Sequence, residues 1–471
     1  MIELIKDRKV LVIGMARSGV AAARLLAESG ASKVTVADQK TAEELRNETG
    51  RLMRYPTVEI ITGGTSPGLV RSDLAMIIKS PGVPPGLAIF KEAAAKNVPV
   101  YSEIELAYHF IKAPMIGITG TNGKTTTTAL ITAMLKEARF DPVVSAGNIG
   151  NPLCSIVGTI EAQGLIVLEL SSFQLDNIAK FRPLVAVFLN FAEDHIDYHG
   201  SLDQYYAAKA RIIENQLKSD YAVLNAADDQ VARLAGKCKS QVLWFDREPV
   251  DVGIGILRNW ITLFNPGMEP QKICPVEDVS LPGDHNLENV LAASTAAWAA
   301  GADLEAIGTV LRSFKAIEHR LEHVATINDV DFINDSKGTN PGSTMKALQS
   351  FPGRRIVLIA GGKDKGSDFS DLARIINCEV KSLILYGETK KNLVAAVEKV
   401  NYHSYSLVNN LEEAVALAFK QALPEDIVLL SPACASWDMF PDYEARGNLF
   451  KDLVKKQKRD NKAGKGAGDR G

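Results

Sequence analysis

Cysteine is scarce in this chain, and what there is builds no framework. Cys154, Cys238, Cys274, Cys378 and Cys434 are scattered over 471 residues, odd in number and without a C-x-x-C pair. That argues against both a disulfide scaffold and structural zinc. Long apolar runs are missing too: no window approaches the roughly 18 uninterrupted apolar residues of a membrane span. The N-terminus, MIELIKDRKVLVIG, runs straight into a strand pattern with no signal-peptide cleavage site, so a cytoplasmic protein without membrane insertion is expected. Nor does one sign of charge dominate, and a formal net charge of −3 does not suit a nucleic-acid binder. The exception is KDLVKKQKRDNKAGKGAGDRG, where eight Lys/Arg stand against three Asp. A basic, glycine-rich run with no apolar face predicts a structureless tail over residues 455–471.

What is present, 46% hydrophobic and 23% charged residues, is the composition of a globular protein. The length predicts about three domains. KVLVIG, MARSG, VAAARLLAESG and KVTVAD read as strand, glycine turn, helix and strand. VEIITGG, LAMIIKSPG and VPVYSEIEL continue the alternation, which indicates a parallel sheet flanked by helices. Pro114 precedes a new strand, so the first domain is expected over residues 1–112. MIGIT, LIVLEL, LVAVFLN and YAVLN repeat the grammar, and DVGIGILRNWITLFNPG suggests a small antiparallel insert. A helix is expected from Asn286 to Ala300. FINDS, RIVLIAGG, SLILYG and DIVLLSP form a third set. Residues 113–316 and 317–454 are the second and third expected domains. The fold class is thus α/β, three domains in series.

The stretch GITGTNGKTTTT, Gly117 to Thr128, lies between an apolar strand and a helical run. Such a turn offers backbone N–H groups and the positive helix end to an anion. Gly120 and Gly123 permit the close wrap, Lys124 reaches phosphate oxygens and the Thr125 hydroxyl is placed for magnesium. The pattern G-x-x-x-x-G-K-S/T asks for glycine at position 118, where this chain has Ile118. LIVLELSSFQL ends a buried strand in Glu169, a carboxylate placed to hold magnesium near the phosphate loop. Its bland reading is a buried or capping acid.

The run GTNGKTTT resembles the phosphate loop of the Mur ligase family, ATP-dependent amide-forming enzymes of peptidoglycan synthesis. The family spaces its loop as here, and the resemblance covers about 450 residues. It implies a Rossmann-like N-terminal domain for a UDP-linked substrate, a central P-loop ATPase-like domain and a C-terminal Rossmann-like domain for the amino acid. It implies ATP and two magnesium ions as cofactors. Gly120, Thr121, Asn122, Gly123, Lys124, Thr125 and Thr126 would hold the nucleotide phosphates. Thr125 and Glu169 would ligate magnesium, and His195, in LNFAEDHIDYHG, a second ion. Most members carbamylate the lysine that matches Lys209, converting a cation that repels metal into an oxygen-bearing anion. A lysine on a helix is otherwise a solvated surface group. In LPGDHNLENVLAA, Asn289 would approach the adenine, while Asn286 either joins it or caps the helix. Arg320 would contact the phosphates.

FINDSKGTNPGST carries Asp335, Lys337, Thr339 and Asn340, where the glutamate-adding members have N-D-S-K-x-T-N. The resemblance therefore implies D-glutamate as the amino acid and UDP-N-acetylmuramoyl-L-alanine as its acceptor, with the protein a monomer. Asp335 would hold the ATP ribose and Lys337 its phosphates or an acyl phosphate. Lys365 would pair with a D-glutamate carboxylate, and Thr339, Ser436 and Tyr443 would line its pocket; the family often has Phe at the last position. Arg17 and Ser18 would lie at the UDP diphosphate, with Asp38, Ser80, Pro81 and Gly82 near its nucleoside, and Asn148 would be a further substrate-binding residue. His195 and Asp335 stand, by resemblance, closest to proton handling. Three rivals remain. A folylpolyglutamate synthase lacks the first α/β segment. A dinucleotide oxidoreductase explains only GMARSG and Asp38. A nucleotide-binding regulator should have lost Glu169, His195 or Lys209.

Overall fold

The computed structural model describes residues 2–148, 150–281, 283–314, 318–351, 353–363 and 367–467. The chain divides into two compact units, Met1–Ser280 with His285–Phe314, and Leu281–Asp284 with Lys315–Gly471.

The first unit holds two sheets. β1 (Lys9–Ile13), β2 (Lys33–Ala37), β3 (Val58–Ile61), β4 (Leu74–Lys79) and β5 (Val100–Ser102) are all parallel, in the order β3-β2-β1-β4-β5. The order reverses between β1 and β4, and in open parallel sheets the crevice for ligands lies outside the C-terminal ends of the strands at such a point. There the Ser80 hydroxyl donates to the Gly14 carbonyl oxygen at 2.9 Å. Gly14 has φ +91°, and a Cβ on it would stand 2.7 Å from Val83 Cγ2, so the turn needs glycine.

The second sheet comprises β6 (Met115–Thr119), β7 (Val143–Gly147), β8 (Leu165–Glu169), β9 (Val185–Phe188), β10 (Tyr221–Asn225), β11 (Gln241–Phe245), β12 (Gly253–Leu257), β13 (Trp260–Phe264) and β14 (Gln271–Pro275). Its order, β14-β13-β12-β11-β10-β9-β6-β8-β7, sets β6 between β8 and β9. β6 and β8 are buried along their whole length, as parallel strands covered on both faces must be. The expected antiparallel insert is β12–β13–β14, which extends the edge of this sheet instead of standing apart. Arg258 and Asn259, at φ +50° and +63°, turn the β12–β13 hairpin in the left-handed sense that two-residue turns favour.

The second unit contains β15 (Glu322–Ile327), β16 (Val330–Asn334), β17 (Ile356–Gly361), β18 (Val380–Tyr386), β19 (Tyr405–Leu407) and β20 (Ile427–Leu430), ordered β15-β16-β20-β17-β18-β19. Only β15 pairs antiparallel. The last helix, Tyr443–Ala467, remains helical where a structureless tail from residue 455 was expected. Phe450 and Val454, fully buried, anchor its first turns. Propagation from a formed helix is easy for Lys, Gln, Arg and Ala.

In the first unit the two sheets meet through a shared apolar cluster and two buried acids. Glu105 accepts the backbone N–H groups of Ala179, Lys180 and Phe181 at 2.8–3.0 Å. Glu103 accepts the Cys154 N–H with one oxygen, while the other, Oε2, has no hydrogen-bond partner. Burial pushes Glu103 from its ordinary 4.5 up to about 7. A raised acid pKa means that the folded state holds the proton more tightly, so stability falls as pH rises from the lower value to the higher. Above both values the cost is fully present. Glu103→Gln should therefore stabilise the protein at pH 8 by up to about 2–3 kcal/mol and flatten stability through that window. Urea midpoints across pH check this, and a variant retaining the wild-type slope would contradict it.

Candidate active site

The phosphate loop is wedged between the C-terminal ends of β6 and β9. Gly120, at φ +146°, lies so close that a Cβ would be 2.9 Å from Leu189 Cβ. Asn190, just past β9, clasps the loop: its Oδ1 accepts Asn122 N–H at 2.9 Å and its Nδ2 donates to Asn122 O at 3.2 Å. Thr121 is held by Ala192 N–H at 3.0 Å. Gly123 then caps the helix Lys124–Glu137 in the left-handed region. Asn289, from the helix Asp284–Ala299, packs behind it, with Oδ1 3.4 Å from Thr127 Oγ1. Asn286 lies 3.5 Å from Asn289 in the first turn of the same helix, past its start at Asp284, so it is not the cap.

Glu169 of β8, Asn148 just past β7 and Lys209 of the helix Leu202–Ala210 converge on the loop, where they meet its own Lys124. Glu169 Oε2 accepts the Thr125 hydroxyl at 2.8 Å, and Oε1 accepts Asn148 Nδ2 at 2.7 Å. Lys124 Nζ folds onto the carbonyls of Gly120 and Thr121, each at 2.9 Å. Lys209 Nζ donates to the same Gly120 oxygen at 2.8 Å and stands 4.7 Å over the Tyr205 ring. It is 2% exposed, far from the solvated state ordinary for lysine. Burial, reinforced by the charge of Lys124, drives its pKa well below the lysine range against the pull of Asp194 and Glu169.

Beside them lies an aromatic cluster. Phe173 stands 4.8 Å from the His195 ring and 5.6 Å from that of His199. His199 is buried with Nε2 2.9 Å from Ser172 Oγ, and burial lowers its pKa. His195 is exposed, at φ +52°, 3.6 Å from an Asp194 oxygen. Among the described residues no group of three or more His, Cys, Asp or Glu forms a ready metal cage. Magnesium needs none: it takes one or two carboxylates and completes its shell with water and phosphate oxygens. The Thr125–Glu169 oxygen pair fits that demand.

In the second unit, adjacent strands β16 and β20 end together, with Asn334 paired to Leu430. The next residues meet: Asp335 Oδ2 accepts the Ser431 hydroxyl at 2.7 Å. Burial pushes Asp335 up to about 6, opposed chiefly by the Arg320 charge. Lys337 Nζ stands 5.5 Å over the Tyr443 ring. Ser436 is buried and Thr339 half-buried, with its N–H on Lys337 O at 2.9 Å. Lys365 lies outside the described residues.

At the first crevice, Asp38 Oδ2 accepts Met15 N–H at 2.6 Å and Oδ1 accepts Lys40 N–H at 2.9 Å. Arg17, at the start of the helix Arg17–Glu28 and beside Ser18, donates to Gly150 O. Asp38 and Ser80 thus brace the turn around the crevice, which Pro81 and Gly82 follow.

Sequence reading passed over three residues. Asn190 clasps the loop. Lys79, buried at the end of β4, donates to the Tyr198 hydroxyl, and burial lowers it to about 8. Arg446, fully buried, binds Ser336 Oγ at 2.9 Å, Ser336 O at 2.7 Å and Cys434 O at 3.2 Å, tying the loop of Asp335 to that of Ser436. Of the three only Lys79 carried a signal, a cation inside the apolar run LAMIIKSPG.

The Mur ligase middle domain family matches residues 118–297, and the Mur ligase glutamate ligase domain family matches residues 319–434. A UDP-N-acetylmuramoylalanine--D-glutamate ligase of Geobacillus kaustophilus is 44% identical over 453 residues, covering 96% of this chain and 98% of the relative. The enzyme of that name from Pelotomaculum thermopropionicum is 43% identical over 455 residues, covering 96% and 99%. The solved structure of a MurF ligase from Thermotoga maritima in complex with ADP shares the fold, with a TM-score of 0.57 at 16% identity over 97% of this chain and 100% of that one.

Gly123 has φ +80°, and an added Cβ would lie 2.0 Å from Asn289 Oδ1. Gly123→Ala should cost about 1–3 kcal/mol of stability and weaken ADP binding by at least about tenfold. Titration calorimetry measures the second effect, and unaltered ADP affinity would refute it.

Proposed function

The chain belongs to the Mur ligase family, and we infer that it is the ligase of peptidoglycan precursor synthesis that adds D-glutamate to UDP-N-acetylmuramoyl-L-alanine, consuming ATP. The near-full-length likeness to D-glutamate ligases, at 42–44% identity, carries this reading. It also disposes of the folylpolyglutamate synthase, oxidoreductase and regulator alternatives. We place the domain divisions at 112/113 and 316/317; the three sheets, each closed within one segment, support them. A monomer working in the cytoplasm is our proposal as well. Among the described residues no helix is long and apolar enough to cross a membrane.

The chemistry begins with charge. A carboxylate is a poor acyl donor, and its attack on the ATP γ-phosphate brings two anions together. In our reading Lys124 and the N–H groups from Gly120 to Thr126 offset that repulsion, and Arg320 adds to them. The attack breaks the bond from the γ-phosphorus to the bridging oxygen, yields an acyl phosphate on the L-alanine carboxyl and releases ADP. Asp335 holds the ribose, Asn286 and Asn289 lie toward the adenine, and Lys337 steadies the phosphates or the acyl phosphate. Arg17, Ser18, Asp38, Ser80, Pro81 and Gly82 receive the UDP part, and Asn148, held on Glu169, meets the substrate beside the phosphate loop. Thr339, Lys365, Ser436 and Tyr443 orient D-glutamate so that its amine meets the acyl carbonyl, and phosphate leaves. Much of the rate enhancement is then positioning.

Thr125 and Glu169 would hold one magnesium ion, and His195 with Lys209 a second; bound there, the ions supply electrostatic neutralisation of phosphate charge. Lys209 needs modification for that task. A neutral amine adds to carbon dioxide, losing a proton and leaving a carbamate. The burial that disfavours the Lys209 ammonium supports this assignment.

Two measurements test the proposal. Lys209→Ala should be weakly active and partly rescued by a short-chain carboxylate; full activity without one would remove the carbamate. With UDP-N-acetylmuramoyl-L-alanine, ATP and magnesium, phosphate release should follow D-Glu and not L-Glu or L-Ala. Release only with an L-amino acid would overturn the substrate assignment.

A further inference from the structure

A basic cavity of about 240 Å³ runs along the flank of the helix Arg17–Glu28, lined by Arg17, Arg24, Arg51, Arg54, Tyr55 and Asn151 among others. Arg17 stands where it borders the crevice, and Arg24, Arg51 and Arg54 carry it away from there. Arg24 lies two helical turns beyond Arg17, about 10 Å along the axis. Arg51 lies in the last turn of the helix Arg46–Leu52 and Arg54 just past it, on the way into β3, at the strand-start edge of the sheet. The crevice between β1 and β4 opens at the opposite edge.

Four guanidinium groups share this cavity, and no carboxylate is among the residues that line it. Glu28 borders it, 3.7 Å from Arg24 Nε and accepting the Tyr55 hydroxyl at 2.7 Å. That nitrogen is shielded from solvent and makes no hydrogen bond. Arg51 and Arg54 form no ion pair among the described residues, and Arg54 lies 5.1 Å over the Tyr55 ring. Gathered like charges repel unless an anion offsets them, and the forked guanidinium matches phosphate oxygens two at a time. We propose that this cavity, at Arg24, Arg51 and Arg54 and bordering the substrate crevice at Arg17, is a second binding site for a phosphate-bearing anion. Arg17 and Arg24 already donate to the carbonyls of Gly150 and Ser155, on the segment leading from β7. An anion there would join the helix flank of the first sheet to the second, and stabilise their seam by linkage.

Inorganic pyrophosphate and the phosphate tail of ADP share the required chemistry. Equilibrium dialysis of the full chain separates them, with UDP and one equivalent of ADP first filling the crevice and the phosphate loop. An inorganic-anion site binds one equivalent of pyrophosphate and no further ADP; a nucleotide site binds a second ADP, which pyrophosphate displaces. In either case Arg51→Ala/Arg54→Ala should lose at least about tenfold in that affinity while keeping wild-type kcat and KM. No binding of either probe, or binding that the double variant leaves unchanged, would overturn the proposal.

Discussion

Two lysine amines converge on a single carbonyl oxygen, that of Gly120, from 2.9 Å and 2.8 Å. One belongs to the phosphate loop and the other to the helix Leu202–Ala210, some ninety residues on. Two ammonium groups so placed repel, and the buried one yields first, because its charge has no water to shelter it. The Lys209 amine is thereby biased toward its neutral form. The arrangement depends in turn on the backbone of Gly120, pressed against Leu189 with no room for a side chain. The position of β9, the path of the loop and the chemistry of Lys209 are one coupled constraint.

The same device recurs in each sheet. Parallel neighbours end side by side, so residues just past them meet although they are far apart in the chain. β1 and β4 bring Gly14 to Ser80, β6 and β8 set Thr125 near Glu169, and β16 and β20 deliver Asp335 to Ser431. Parallel pairing demands long crossovers, and those crossovers carry the helices whose starts and flanks hold cations.

Much of this was legible because the signals were local. Glycines at Gly120 and Gly123, followed by Lys124 and Thr125 between strand and helix, announce an anion nest whatever surrounds them. N-D-S-K after a strand is equally compact. Asn190 and Arg446 gave no such signal, and Lys79 only its place in an apolar run, since each acts on a partner distant in sequence. An arginine on a final helix looks solvated until the fold buries it against Ser336 and Cys434. The basic tail misled for the opposite reason: composition describes a free segment, whereas residues 455–467 continue a helix anchored upstream.

Ile118 makes the division plain. A phosphate pattern calls for glycine there, and the structure buries Ile118 fully as a residue of β6. The amino-acid sequence by itself determined the α/β grammar, the nucleotide loop and the family to which the chain belongs, because these rest on periodicity and on contiguous motifs. Only tertiary structure decided which carboxylate oxygen faces Thr125, how deeply Lys209 is desolvated and where the four arginines gather. Those outcomes depend on distances between segments and on the water excluded between them, which no linear pattern encodes.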